Sequence, residues 1–123
     1  MYLFSLLQGH GTSFWPGSRD MPTEWKHNND ELYDNMRGPI QNVQLLATAY
    51  SKGTMVHEPM IWTVSYGQGR VFHTPMGHDV NAMKCIGFIT TLQRGTEWAA
   101  TGKVTIPIPA DFPGPDKPST LGK

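Results

Sequence analysis

A chain of 123 residues is long enough for one modest domain and short for two independent cores. Ten Lys and Arg balance ten Asp and Glu, so no basic stripe is left to draw the chain onto phosphate backbones or anionic lipid; neither nucleic acid nor membrane is expected as a partner. A hydrophobic fraction of 38% argues against disorder, 13 Gly and 10 Pro argue against a helical bundle, and the single Cys85 excludes an internal disulfide or a thiolate zinc site.

Residues 1–7 are apolar but lack a basic flank and stop at Gln8-Gly9-His10, so neither an export signal nor a transmembrane helix is read there, and the compartment stays open. Residues 8–30 hold Gly9, Gly11, Pro16, Gly17 and Pro22 with no sustained period, which predicts a loop. Over residues 42–48, Val43, Leu45 and Ala47 alternate with Gln44, Leu46 and Thr48, as in a strand with one face better buried. Residues 60–66 repeat the period. Tyr66-Gly67-Gln68-Gly69 then offers two glycines for the positive φ of a tight turn and Arg70-Val71-Phe72-His73 for the returning strand, so a hairpin is predicted over 59–74. Pro75 and Gly77 end that strand, and Asp79 stands where a helix N-cap would. One helix is therefore predicted over about 80–99, with Ala82, Cys85, Ile86, Ile89 and Leu92 as its apolar stripe and Gly102 just past its end. Gly87 and Gly95 each cost that helix about 1 kcal/mol relative to Ala, which packing must recover. Five prolines after Lys103 predict an extended, surface-lying tail.

Two polar groups could carry chemistry. His78 and Asp79 fall at a strand-to-helix junction, where open α/β sheets collect ligands; the plainer alternative is that Asp79 only caps the helix and His78 is a loop residue. His27, Asp30 and Glu31 place carboxylates beside a histidine, a combination that can bind a divalent metal or divide into acid and base; a solvated turn, or Asp30 capping a short helical turn over 31–36, explains it equally. No His-Glu-x-x-His spacing and no glycine-rich phosphate loop is present. Cys85, on the apolar stripe inside the predicted helix, reads as a core residue, and Trp62 and Trp98 as packing residues.

Five segments in order, Trp25-Lys26-His27-Asn28-Asn29-Asp30-Glu31-Leu32-Tyr33, Glu58-Pro59-Met60-Ile61-Trp62, Tyr66-Gly67-Gln68-Gly69-Arg70-Val71-Phe72-His73, Gly77-His78-Asp79 and Arg94-Gly95-Thr96-Glu97-Trp98-Ala99-Ala100, give the chain its resemblance to the ThuA-like trehalose-utilisation family. The resemblance runs over residues 21–112, between a poorly matched start (1–20) and a Pro-rich tail (113–123). It implies an α/β class, a partial flavodoxin-like fold akin to class I glutamine amidotransferases, and a role in the breakdown of trehalose or related sugars. It also implies a pocket bordered by Asp30, Glu31, Tyr33, Glu58, Trp62, His78 and Asp79; the residue pattern itself adds His27 to that pocket and makes His27, Asp30 and His78 the metal candidates. The chain is read as a carboxyl-terminal piece with only a weak Gly9-His10-Gly11 echo before the match. An amidotransferase-type nucleophile elbow would lie outside it, which leaves glutaminase chemistry without support.

Three functional expectations follow. The chain processes a small-molecule carbohydrate through that pocket, with or without a divalent metal; or it is a non-catalytic sugar-binding or accessory module; or it is an inactive truncated remnant. A partial sheet should leave an unpaired edge and exposed apolar surface, so self-association is expected as well.

Overall fold

The structure is a computed structural model, and it describes residues 1–7 and 15–122. Five strands form one sheet: β1 (Leu3–Leu6), β2 (Glu24–Lys26), β3 (Val43–Ser51), β4 (Val56–Tyr66) and β5 (Gly69–His73), in the spatial order β2-β1-β3-β4-β5. A short helix α1 (Val80–Met83) and a long helix α2 (Ile86–Thr101) follow. All strand pairs among the described residues are antiparallel. The chain is thus mixed α/β with an antiparallel sheet, and the ligand position expected at the carboxyl end of a parallel strand has no parallel neighbour among the described residues. No described helix is long and apolar enough to cross a membrane.

The hairpin forms as expected. Tyr66 pairs with Gly69 across a two-residue turn in which Gly67 takes φ 56°. Gly69 has a different use from the one expected of it, since a Cβ there would lie 3.1 Å from the Tyr66 carbonyl oxygen. In β3 the alternation breaks at Leu46, where the register with β4 shifts between Leu45 and Ala47. A bulge of this kind moves the following side chains to the other face. Leu46, Ala47, Thr48 and Ala49 are all buried, while Val43 and Leu45 stay exposed.

Three expectations need correction, beside a first segment for which no element was predicted. Residues 1–7 contain β1, a strand inside the sheet, with Phe4 fully buried. The expected loop over 8–30 includes a 3₁₀ turn (Pro16–Ser18) and β2, whose Trp25 is fully buried and stacked on Phe4 at 4.6 Å; Gly9, His10 and Gly11 lie outside the described residues. The single helix is two helices. Cys85 is extended (φ −63°, ψ 124°), caps α2 and bridges to Thr120, while Ile86 N–H donates to the Ser119 carbonyl and Leu121 N–H to that of Lys84. The tail thereby takes up backbone groups that an unbroken helix would have paired internally. Nor does the tail merely lie on the surface: Pro113 is buried, Phe112 packs edge-on against Trp25, and the Gly114 carbonyl accepts from Lys26 N–H.

Helix α2 ends where expected, with Gly102 at φ 77° donating its N–H to the Trp98 carbonyl. Its close fit to the sheet comes from its glycines. Phe72 of β5 packs where a Gly95 Cβ would stand, and Trp25 where a Gly87 Cβ would stand. The core joins Phe4, Trp25, Met60, Ile61, Cys85 and Phe88 between sheet and helix.

Candidate functional site

The site grows from the end of β2. His27 N–H donates to the Tyr2 carbonyl at 3.0 Å, which turns the imidazole inward among the rings of Tyr2, Phe4, Trp25 and Phe88. It is fully buried, and its Nε2 lies 2.7 Å from Asp30 Oδ2. Asp30 is a hub. Its Oδ2 also accepts from Gly77 N–H at 2.8 Å, and its Oδ1 from His78 N–H at 3.0 Å and Glu31 N–H at 2.8 Å.

Burial pushes the Asp30 pKa up, but hydrogen bonds from Gly77, His27 and His78 outweigh it and hold the carboxyl below the usual carboxylate range. Burial pushes the His27 imidazole down further than the Asp30 carboxylate pulls it up. The pair is a carboxylate facing a neutral imidazole protonated on Nε2, and the buried Nδ1 has no partner. The Tyr2 phenol beside them is pushed well above its ordinary range by burial, then by Asp30.

With Gly77 and His78 tied to Asp30 by their backbones, the His78 side chain is presented outward. Gly77 adopts φ 93°, and a Cβ there would approach Phe88 to 2.9 Å, so only glycine suits this bend. His78 Nδ1 lies 2.7 Å from Tyr33 Oη and 3.3 Å from Glu31 Oε2, and the side chains of His78 and Glu31 are 50% and 55% exposed. A proton on Nδ1 faces two oxygen acceptors, which leaves Nε2 with the free lone pair. This geometry can orient an imidazole and let it take a proton from a hydroxyl placed at Nε2.

The structure thus brings together His27, Asp30, Glu31, Tyr33 and His78. Asp79 stays next to them in sequence but caps α1, accepting from Ala82 N–H at 2.9 Å. Glu58 and Trp62 lie on β4 with other partners: Glu58 Oε1 accepts from Thr54 Oγ1 at 2.8 Å, and Trp62 stacks on His73 at 4.3 Å. Among the described residues no group of three or more His, Cys, Asp or Glu is placed to hold a metal ion. For His27, Asp30 and His78 the reason is visible: both Asp30 oxygens already accept two hydrogen bonds each, and His27 is sealed among aromatic rings.

Sequence reasoning missed two participants. Tyr2 donates from its hydroxyl to the Glu31 carbonyl at 3.3 Å. Asn28, read as part of a solvated turn, is buried and joins α1 to the tail, donating to the Asn81 carbonyl and accepting from Thr120 Oγ1. Neither has a periodic signal. A polar run ending in Asp three residues after His was the one trace of the buried pair.

An α/β chain with an exposed His, Glu and Tyr cluster carried on a buried Asp–His pair is the class of molecule these features define. Residues 12–99 match the family described as ThuA, trehalose utilisation, and the chain belongs to that family. It is similar to the crystal structure of a protein described as ThuA-like from Parabacteroides merdae ATCC 43184, with 42% identity and a TM-score of 0.86. The match covers 97% of this chain and 45% of that one, so the chain spans less than half the length of this relative. No curated protein matches.

Proposed function

We propose that the chain acts in the utilisation of trehalose or a related sugar, with His78 as the acid–base group, Glu31 and Tyr33 orienting its imidazole, and the Asp30–His27 pair positioning its backbone. Membership of the trehalose-utilisation family supports the substrate class. One observation carries the chemistry: His78 Nδ1 is engaged by Tyr33 Oη at 2.7 Å and Glu31 Oε2 at 3.3 Å while the ring remains half exposed. Sugar hydroxyls are the protons such a base would meet.

The finer fold reading, a partial flavodoxin-like and class I glutamine amidotransferase-like architecture, rests on the family resemblance. A strand running parallel beside β2 or β5 in a longer relative would support it.

The test follows trehalose by carbon NMR with the wild-type chain and with His78→Ala, Tyr33→Phe and Glu31→Gln. Turnover by the wild-type chain that falls at least about 100-fold in His78→Ala, and about tenfold in the other two, is expected. Turnover unaffected by His78→Ala overturns the assignment. Sugar binding without turnover favours the accessory-module reading, which the open position of His78 and Glu31 also supports.

A further inference from the structure

Beside the His78 cluster lies a second feature that the acid–base assignment leaves unused. Leu32 and Asp34, which alternate along the chain with Glu31 and Tyr33, line an open groove of about 610 Å³ with Tyr2, Lys26, Tyr50 and Lys52. That volume is within the range of about 300–1,000 Å³ typical of small-molecule sites. Tyr2 links the two places, since it lines the groove and donates its hydroxyl to the Glu31 carbonyl.

The lining has a definite chemistry. Tyr50 is 46% exposed, and His57 packs against it edge-on at 5.4 Å and 68°, so a large aromatic surface is braced yet open. Lys26 ends β2 and Lys52 follows β3, on either side of β1. Neither ammonium is ion-paired to a carboxylate among the described residues. Asp34 is the one acid in the lining, and its Oδ1 accepts from Asn35 Nδ2 at 2.9 Å. Two free cations against one carboxylate make this groove locally positive on a chain whose formal net charge is zero.

We propose that the groove binds an anionic sugar, phosphorylated or carboxylated, with its ring against Tyr50 and its charge between Lys26 and Lys52. An aromatic surface takes the C–H face of a pyranose, an ammonium is a compact point-charge partner for phosphate or carboxylate, and Asp34 accepts from sugar hydroxyls. The inference deepens the acid–base reading by naming the ligand class beside His78, and it rests on that reading for its place in a sugar-processing site.

The test is a ¹H–¹⁵N NMR titration of the whole chain with glucose 6-phosphate, glucuronate, glucose and inorganic phosphate. At least one of the two anionic sugars should bind about tenfold more tightly than glucose or inorganic phosphate, and the stronger of the two identifies the anion. Lys26→Gln and Lys52→Gln should each weaken that binding about fivefold, and Tyr50→Leu should weaken the sugar without affecting inorganic phosphate. Equal affinity for glucose, unchanged binding in both lysine variants, or no shift from either anionic sugar at about 10 mM would overturn the proposal. Binding that survives alongside an absence of turnover in the wild-type chain removes the acid–base reading alone, whereas turnover without anion preference removes the groove alone.

Discussion

At the scale of single residues, the Asp30–His27 pair concentrates the electrostatics of the chain and makes stability depend on pH. His27 has a folded pKa below its ordinary 6.5, and burial moves His73 in the same direction. The unfolded chain therefore takes up protons first as pH falls, so the stabilisation is complete above pH 6.5 and is lost as pH falls through the folded values. Asp30 adds a second loss below its ordinary 3.8, again as pH falls through a lowered folded value. Urea unfolding at a series of pH values should show a lower midpoint at pH 5 than at pH 7, with part of the difference persisting in His73→Gln. Equal midpoints would contradict the buried neutral imidazole. At this scale the sequence was partly legible. The His27–Asp30 spacing marked a candidate pair, but the bonds from Asp30 to the backbones of Gly77 and His78 join residues 47 and 48 positions apart, and no local pattern encodes such a meeting.

At the scale of elements, the glycines of α2 separate local propensity from tertiary fit. Propensity alone favours Ala over Gly inside a helix by about 1 kcal/mol. At Gly95, however, a new Cβ would stand 2.4 Å from Phe72 Cδ1, and at Gly87 it would stand 2.3 Å from Trp25 Cζ3. Aromatic rings packed in a core cannot withdraw that far, and overpacking of this kind costs about 1–3 kcal/mol. Gly87→Ala and Gly95→Ala should each lower stability in thermal or urea unfolding, despite being better helix formers; stabilisation in either would show that the sheet and helix give way. The hairpin was legible because its period-2 runs and Gly67 turn are local. The break at Cys85 was not, because it depends on Ser119, Thr120 and Leu121 pairing from the far end of the chain. β1 and β2, at four and three residues, are too short to show a period.

For the molecule as a whole, the accessible surface is 7716 Å² against about 6,600 Å² expected of a folded monomer of this mass. Part of the excess is apolar and ordered. Phe72 faces α2, so its neighbours Val71 and His73 point to the other side of the sheet, in register with Val64 and Trp62 of β4 and with Val43 and Leu45 of β3. Val43, Leu45 and Val71 are 42%, 39% and 42% exposed, beside the outer edge of β5, which pairs with no strand among the described residues. Such a face and edge favour association, so sedimentation velocity should show species larger than a monomer as concentration rises, reduced by Leu45→Lys. A single monomeric boundary up to about 100 µM would contradict it.

The place of β1 also governs when the sheet can be completed. β4 and β5 are neighbours in the chain and can pair as soon as both exist, but β1 precedes both of its partners, and Phe4 meets Ala49 only after roughly 45 further residues. At ribosomal rates of about 5–20 residues per second, this strand spends about 2–9 s in the nascent chain before β3 is complete. Through that interval Phe4 and the backbone of residues 3–6 lack the neighbour that later encloses them. Until β3 is complete, only β2 can pair with this strand, and a chaperone's cover would shield its open edge from other chains.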